Sequence, residues 1–174
     1  MNIESGNYIV EAANSSLGWK AAFKVGASHN GTIAIKSGNI NITDSDASGE
    51  FIIDMTNISE GSLPDEESKG KLIGHLISDD FFSVEKFPTA TLKIKAIDDN
   101  NQITADLTIK DITNEIQFPA TITVANDKLT VEADFEIDRS LWDIRYGSGK
   151  FFKDLGDKLI KDEIEISLKI QAIK

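Results

Sequence analysis

Few residues in this sequence are of a type that performs chemistry. The chain has two histidines, His29 and His75, and no cysteine. A metal site could use both histidines if the fold brought them together, but a loop histidine and a helix histidine more often make polar contacts. Because cysteine is absent, disulfides, thiol catalysis and thiolate metal sites are excluded. We therefore predict no metal site and expect His75 to form a hydrogen bond near a helix.

Acidic residues form clusters at residues 65–67, 79–80 and 98–99. Paired carboxylates can hydrolyse glycosides, but at turns and at the start of a helix they are usually solvated. The sequence also lacks a nucleophile elbow, a phosphate-binding loop and an HExxH motif. We therefore predict no catalytic residues and no required cofactor, and keep catalysis by the acidic loops as a weaker alternative.

The segment from residue 139 to 152 combines cations with aromatic side chains in an otherwise acidic chain. Four of its residues could contact a ligand: Arg139, Trp142, Arg145 and Tyr146. A guanidinium is a planar donor that suits carboxylate, phosphate or quinone oxygens, so these residues could clamp a ligand head group. Alternatively, an arginine could pair internally with an aspartate and only stabilise the loop. Three aspartates are available for such a pair: Asp138, Asp143 and Asp162.

Length and charge restrict the remaining classes of function. The chain has 174 residues and a net charge of -11, which fits one domain over residues 1–174. Its negative field repels phosphate backbones, so we expect no nucleic-acid partner. No apolar run is long enough for a transmembrane segment. The first residues do not resemble a signal peptide, so we expect either a cytoplasmic protein or the mature form of an exported one.

Strand patterns dominate the chain. Residues 128–138 alternate between apolar and polar types, which predicts a strand with one buried face. Similar patterns predict one strand over residues 115–125, and a hairpin in which Ser37-Gly38 separates two strands. Residues 44–48 read as a turn, and residues 65–77 read as one helix with acids in its first turn.

The number of one-sided strands favours an all-β fold, an extended antiparallel β-barrel of about eight strands. Closure would leave no exposed strand edges. Small residues on the predicted inward faces could leave a cavity, or could alternate with large ones in a filled core, and the pattern leaves both open. These small residues are Ala21, Ala96, Ala105, Ala120, Ala133 and Ala172.

Several segments resemble the YceI-like family of bacterial polyisoprenoid-binding, lipocalin-like proteins. His29-Asn-Gly-Thr-Ile follows a strand with a tryptophan, and His75-Leu-Ile-Ser-Asp-Asp-Phe-Phe is similar to the family pattern H-L-x-S-x-D-F-F. Ala105-Asp-Leu-Thr-Ile-Lys-Asp-Ile-Thr is similar to G-x-L-T-I-x-G-V-T, and Ile137-Asp-Arg-Ser-Leu-Trp-Asp-Ile to I-x-R-x-x-F/W-x-I. Asp106, Asp111 and Glu115 depart from the family pattern and could alter one barrel end.

The resemblance implies a barrel capped by the helix near residues 65–77, with an apolar tunnel for an isoprenoid, an isoprenoid quinone or another lipid. It implies a non-enzymatic carrier or store, exported to the periplasm, that could form a homodimer. The alternative is a filled-core stress-response or interaction module without a small ligand. The tunnel lining and mouth are predicted to comprise Trp19, Phe23, Phe51, Ile53, Phe81, Phe82, Leu107, Ile109, Phe118, Ala133, Phe135, Trp142, Arg145 and Tyr146.

Overall fold

The computed structural model of the protein describes residues 4–43 and 46–174. These residues form one α-helix, α1 (Glu66–Ile77), and short 3-10 turns at Ala12–Asn14, Arg139–Trp142 and Gly156–Lys158. The remaining regular structure is ten β-strands. They are β1 (Gly6–Val10), β2 (Ser16–Ala22), β3 (Ser28–Ile42), β4 (Ala47–Ile58), β5 (Thr89–Ile97), β6 (Gln102–Ile109), β7 (Ile112–Pro119), β8 (Thr121–Ala125), β9 (Lys128–Asp138) and β10 (Glu163–Ile173).

The strands form one antiparallel sheet in the order β7-β6-β5-β4-β3-β1-β10-β9-β8. Strand β2 also pairs with β3 and β10, so β1 and β2 occupy one position between these two neighbours. Strands β7 and β8 follow each other through Ala120 and join the two ends of this order. The ten described strands therefore fill eight positions, which confirms the predicted extended antiparallel barrel.

The predicted hairpin at Ser37-Gly38 is wrong, because β3 continues through these residues. Ser37 pairs with Ile52 and Gly38 pairs with Phe51, with a register shift between Ile35 and Ser37. A Cβ atom at Gly38 would lie 2.8 Å from the Phe51 ring and 3.0 Å from Val10. The glycine thus allows close packing against an extended strand, and does not mark a turn. The predicted turn at 44–48 includes residues 44 and 45, which lie outside the described residues.

The single strand predicted over residues 115–125 is divided in two. Strand β7 pairs with β6, whereas β8 pairs with β9. Pro119 has no N–H to continue the ladder, and the Ala120 N–H donates to Asn101 O at 3.0 Å instead. The chain therefore changes partners at this corner, and the alternating pattern of residue types continues across it.

The inward placement predicted for Ala96 is also wrong. The register between β5 and β6 shifts between Ile94 and Ala96, and Ala96 is exposed. Such a bulge adds one residue to a strand and reverses which face the following side chains occupy. The strand predicted at residues 128–138 is confirmed as β9, with Leu129 and Val131 buried.

Helix α1 begins one residue later than predicted, because Asp65 is its N-cap. The Asp65 side chain accepts a hydrogen bond from Ser68 N at 2.8 Å, and Glu66 and Glu67 lie in the first turn. Leu76 is the buried residue of the helix. Since the helix connects β4 to β5, it lies at one end of the barrel. No helix within the described ranges is long and apolar enough to cross a membrane.

Candidate functional site

The barrel contains two internal apolar cavities. The first, which we name the helix-end cavity, has a volume of about 140 Å³ and reaches Leu76 of α1 and the following Phe81 and Phe82. The second, the far cavity, has a volume of about 60 Å³ and lies toward the opposite end. Both are lined by the inward side chains of the strands, so the interior contains more space than a filled core would leave.

Nine of the predicted tunnel residues line these cavities. Seven line the helix-end cavity: Trp19, Ile53, Phe81, Phe82, Leu107, Ile109 and Phe135. Phe51 and Phe118 line the far cavity, which Ile53 also reaches. These residues come from five different strands and from the loop after α1. The parity of the strands and the aromatic pair after the helix therefore place most of the predicted residues at a cavity lining.

Five predicted residues lie outside both linings. Phe23 packs edge-on against His29 at 6.1 Å, beyond the end of β2. Ala133 is buried in the packed core. Trp142 is fully buried, and its Nε1 donates to Leu107 O at 3.0 Å. These side chains pack the barrel wall and its end, outside the cavity linings.

Arg145 and Tyr146 are exposed and lie outside both cavity linings. Arg145 pairs with Asp143, and its guanidinium lies 5.0 Å from the centre of the Phe151 ring. Tyr146 packs against His75 at 4.5 Å and against Phe81 at 5.4 Å. Tyr146 therefore supports the outer side of Phe81, whereas the arginine contacts only its own loop.

Arg139 is the one charged side chain in the helix-end lining among the described residues. It is 2 % exposed, and it donates to the carbonyls of Lys161 at 3.1 Å, Ile144 at 2.9 Å and Ile160 at 3.4 Å. Its Nη2 lies 3.3 Å from Asp162 Oδ1. Burial lowers the pKa of the Arg139 guanidinium, and the charge of Asp162 opposes this change. The donors are directed at the loop, so the arginine stabilises the cavity's end and leaves its apolar stem as lining.

The two histidines, which could act as metal ligands or as acid–base groups, form structural contacts. His29 Nδ1 lies 3.2 Å from Ser62 Oγ, and His75 Nε2 lies 3.1 Å from Asp80 Oδ2. The two histidines thus belong to separate contact groups. No set of three or more potential metal ligands lies together within residues 4–43 and 46–174.

The loop between β4 and α1 is organised by Glu60, which the sequence did not single out. Its buried carboxylate accepts hydrogen bonds from Ser62 N and Leu63 N at 2.9 Å each, and from Ser62 Oγ. Burial raises the pKa of Glu60, but these bonds and nearby His29 lower it more, so the pKa lies below its ordinary value. The ionised carboxylate therefore holds the loop beside the helix.

Comparison with known proteins identifies the family of this barrel. The sequence model of the YceI-like domain matches residues 8–172. The chain belongs to the YceI family. No curated protein matches the chain closely enough to add a further relative.

Solved structures share the YceI fold at low sequence identity. The crystal structure of BcnA from Burkholderia cenocepacia has a TM-score of 0.72 and 20% identity, over 93% of this chain and 98% of that one. A polyisoprenoid binding domain from Saccharophagus degradans has a TM-score of 0.70 and 11% identity, over 95% and 97% of the two chains. The YCEI protein of Campylobacter jejuni has a TM-score of 0.56 and 16% identity, over 88% and 84%. At these identities the comparison establishes the fold.

Some lining residues of this YceI barrel were not among the predicted site residues. Ile164, Ile166 and Leu168 of β10 line the helix-end cavity, and their alternation in the sequence was a sufficient signal. Ile144 and Ile160 also line it, but they lie in the irregular connection after β9. No periodic pattern identifies inward positions in such a loop, so only the fold could place them.

Proposed function

We propose that this YceI protein binds the hydrocarbon part of a long-chain amphiphile, such as an isoprenoid, an isoprenoid quinone or another lipid, without catalysing a reaction. The observation that carries the proposal is the helix-end cavity, whose lining is apolar except for Arg139. The guanidinium of Arg139 already donates to three carbonyls. A polar group inside the cavity would therefore lose its hydrogen bonds with water, whereas a hydrocarbon tail loses none.

The energy of binding comes from removing the tail from water. Each buried methylene contributes about 0.8 kcal/mol, less the loss of freedom on binding. Leu76, Phe81 and Phe82 lie at the helix end of the cavity, where the tail would pass between α1 and the strands. The domain from Saccharophagus degradans, described as polyisoprenoid-binding, supports this ligand class. A periplasmic location, a carrier role and a homodimer stay predictions that follow from the family.

Mass spectrometry of an organic extract of the natively purified protein tests the proposal. We expect a co-purifying lipid or quinone, or saturable uptake of an added isoprenoid quinone. A clean extract together with no uptake would contradict the proposal and favour a module without a small ligand.

A cavity-filling variant gives a matched test. Ala90 is 3 % exposed and lines the helix-end cavity, so Ala90→Leu should reduce uptake by filling the space that the tail needs. Ala96 lies on the same strand but is exposed, so Ala96→Leu should leave uptake unchanged. Equal uptake by both folded variants would place the ligand elsewhere.

A further inference from the structure

The two cavities lie end to end along the barrel. Along β4, Phe51 lines only the far cavity, Ile53 lines both, and Met55 lines only the helix-end cavity. Leu92 of β5 and Leu168 of β10 are likewise shared between the two. The same order on separate strands places one boundary across the middle of the barrel.

A stacked pair of phenylalanines stands at this boundary. Phe118 of β7 lines only the far cavity, and Phe135 of β9 lines only the helix-end cavity. Their rings lie 4.1 Å apart with an angle of 10° between their planes. Each ring thus lines a different cavity, and the two rings meet where the cavities adjoin.

Two alanines leave room for the rings at the same level. On β6 the lining passes from Ile103 in the far cavity to Leu107 in the helix-end cavity, and omits Ala105 between them. On β9 it passes from Val131 to Phe135 and omits Ala133. Both alanines are buried in the core cluster that contains Phe118 and packs against Phe135. The small side chains therefore accommodate the aromatic pair.

We propose that the stacked pair Phe118–Phe135 divides the tunnel and sets the length of tail that the protein binds. This inference rests on the proposed function. A tail that enters from the helix end fills the helix-end cavity and then meets the two rings. Additional carbons beyond this point stay outside and add no affinity, because the hydrophobic contribution is proportional to the area that is buried. The preferred ligands are amphiphiles whose tail fits the helix-end cavity alone.

Titration with isoprenoid alcohols of increasing length tests the division. The series comprises geraniol, farnesol, geranylgeraniol and solanesol, and the fluorescence of Trp19, which lines the helix-end cavity, reports binding. For the wild-type protein we expect affinity to rise with length and then to reach a plateau. Phe135→Leu should move this plateau to longer alcohols, with a gain of about fourfold for each further methylene that is buried.

Two further variants keep the test decisive. Phe118→Leu opens the same boundary from the other side and should move the plateau in the same way. It serves as the test variant if Phe135→Leu does not fold. Phe51→Leu enlarges the far cavity but leaves the aromatic pair intact, so it should keep the wild-type plateau. A wild-type affinity that keeps rising to solanesol, or a plateau that neither boundary variant moves, would overturn the division. Failure of the folded wild-type protein to bind any alcohol would instead refute the proposed function on which the division rests.

Discussion

Replacing Gly31 by alanine should destabilise the protein strongly, although the change adds one methyl group. Gly31 lies on β3, where the loop that follows β4 passes close to it. An added Cβ would overlap the carbonyl oxygen of Ser59, and would lie 2.7 Å from its carbonyl carbon and 2.9 Å from Trp19 Nε1. Two of these three atoms belong to the backbone, so no flexible side chain can make room.

The expected magnitude follows from the contacts that must shift. Overpacking against a fixed neighbour costs about 1–3 kcal/mol. Trp19 Nε1 donates to Ser59 O at 3.2 Å, and loss of that bond adds about 1 kcal/mol. The hydrogen bond between β3 and the loop, in which Thr32 N donates to Ser59 Oγ at 3.0 Å, would also be strained. We expect a loss of about 2–4 kcal/mol in the free energy of unfolding, or about 5–15 °C in Tm for a chain of this size.

Urea and thermal unfolding followed by circular dichroism measure this change. Gly70→Ala is the matched control, because Gly70 lies in α1 and a Cβ there meets nothing within 4 Å. The same substitution should stabilise the helix by about 0.5–1 kcal/mol, since glycine is a poor helix former. Because Trp19 lines the helix-end cavity, its fluorescence should also change in the Gly31 variant only.

A Gly31→Ala protein as stable as the wild type would refute this reasoning. It would mean that the Ser59 loop can move away from β3 without cost, and hence that Trp19 is not held by it. Destabilisation of both alanine variants by the same amount would also count against the argument, because it would point to a general effect of replacing glycine.

The remaining predictions concern charged groups. Arg139→Met should cost about 3–5 kcal/mol in urea unfolding, because it leaves the largely buried Asp162 with only the more distant Lys150 as a partner, and a cost below about 1 kcal/mol would contradict the pairing. Arg145→Ala should change the free energy of unfolding by less than about 1 kcal/mol and leave ligand affinity unchanged, since Arg145 is exposed. A loss of affinity would instead support the hypothesis that Arg145 binds the ligand head group. The pKa of Glu60 in the folded protein lies below its ordinary value of 4.5. The ionised carboxylate therefore contributes to the free energy of unfolding above pH 4.5, and this contribution is lost as the pH falls through the pKa of the folded state. Glu60→Gln should therefore flatten the acid side of the stability profile, and an unchanged profile in this variant would exclude that role.

Much of the fold could be predicted because the strands alternate cleanly. The predicted bounds of β9 match the observed ones, and the predicted helix differs from the observed one only by including its capping residue, Asp65. The predictions were wrong where the same local pattern of residue types is compatible with two different backbone structures. Ser37-Gly38 resembles a hairpin turn in composition, but Gly38 is required for close packing against Phe51. The corner at Ala120 is not visible in the alternation, since both strands keep the same parity.

The site was predicted less completely, and the reason is again physical. Parity identifies an inward face but not the depth at which a side chain lies along the barrel. Ala133 and Phe135 share a face of β9, yet only Phe135 lines the cavity. The arginine that lines the cavity was also not in the predicted set of tunnel residues. Arg139 and Arg145 are similar in sequence context, and only the path of the loop buries one and exposes the other.

The sequence by itself determined the faces of most strands, the helix to within one residue and membership of the YceI family, because these depend on residue types at short, regular spacings. The tertiary structure alone decided how the barrel closes, where its interior stays open, and that Phe118 meets Phe135 between the two cavities. These features depend on contacts between strands that are distant in the chain or paired with different partners. Local periodicity carries no information about such contacts, since they are set by register, bulges and the packing of the closed sheet.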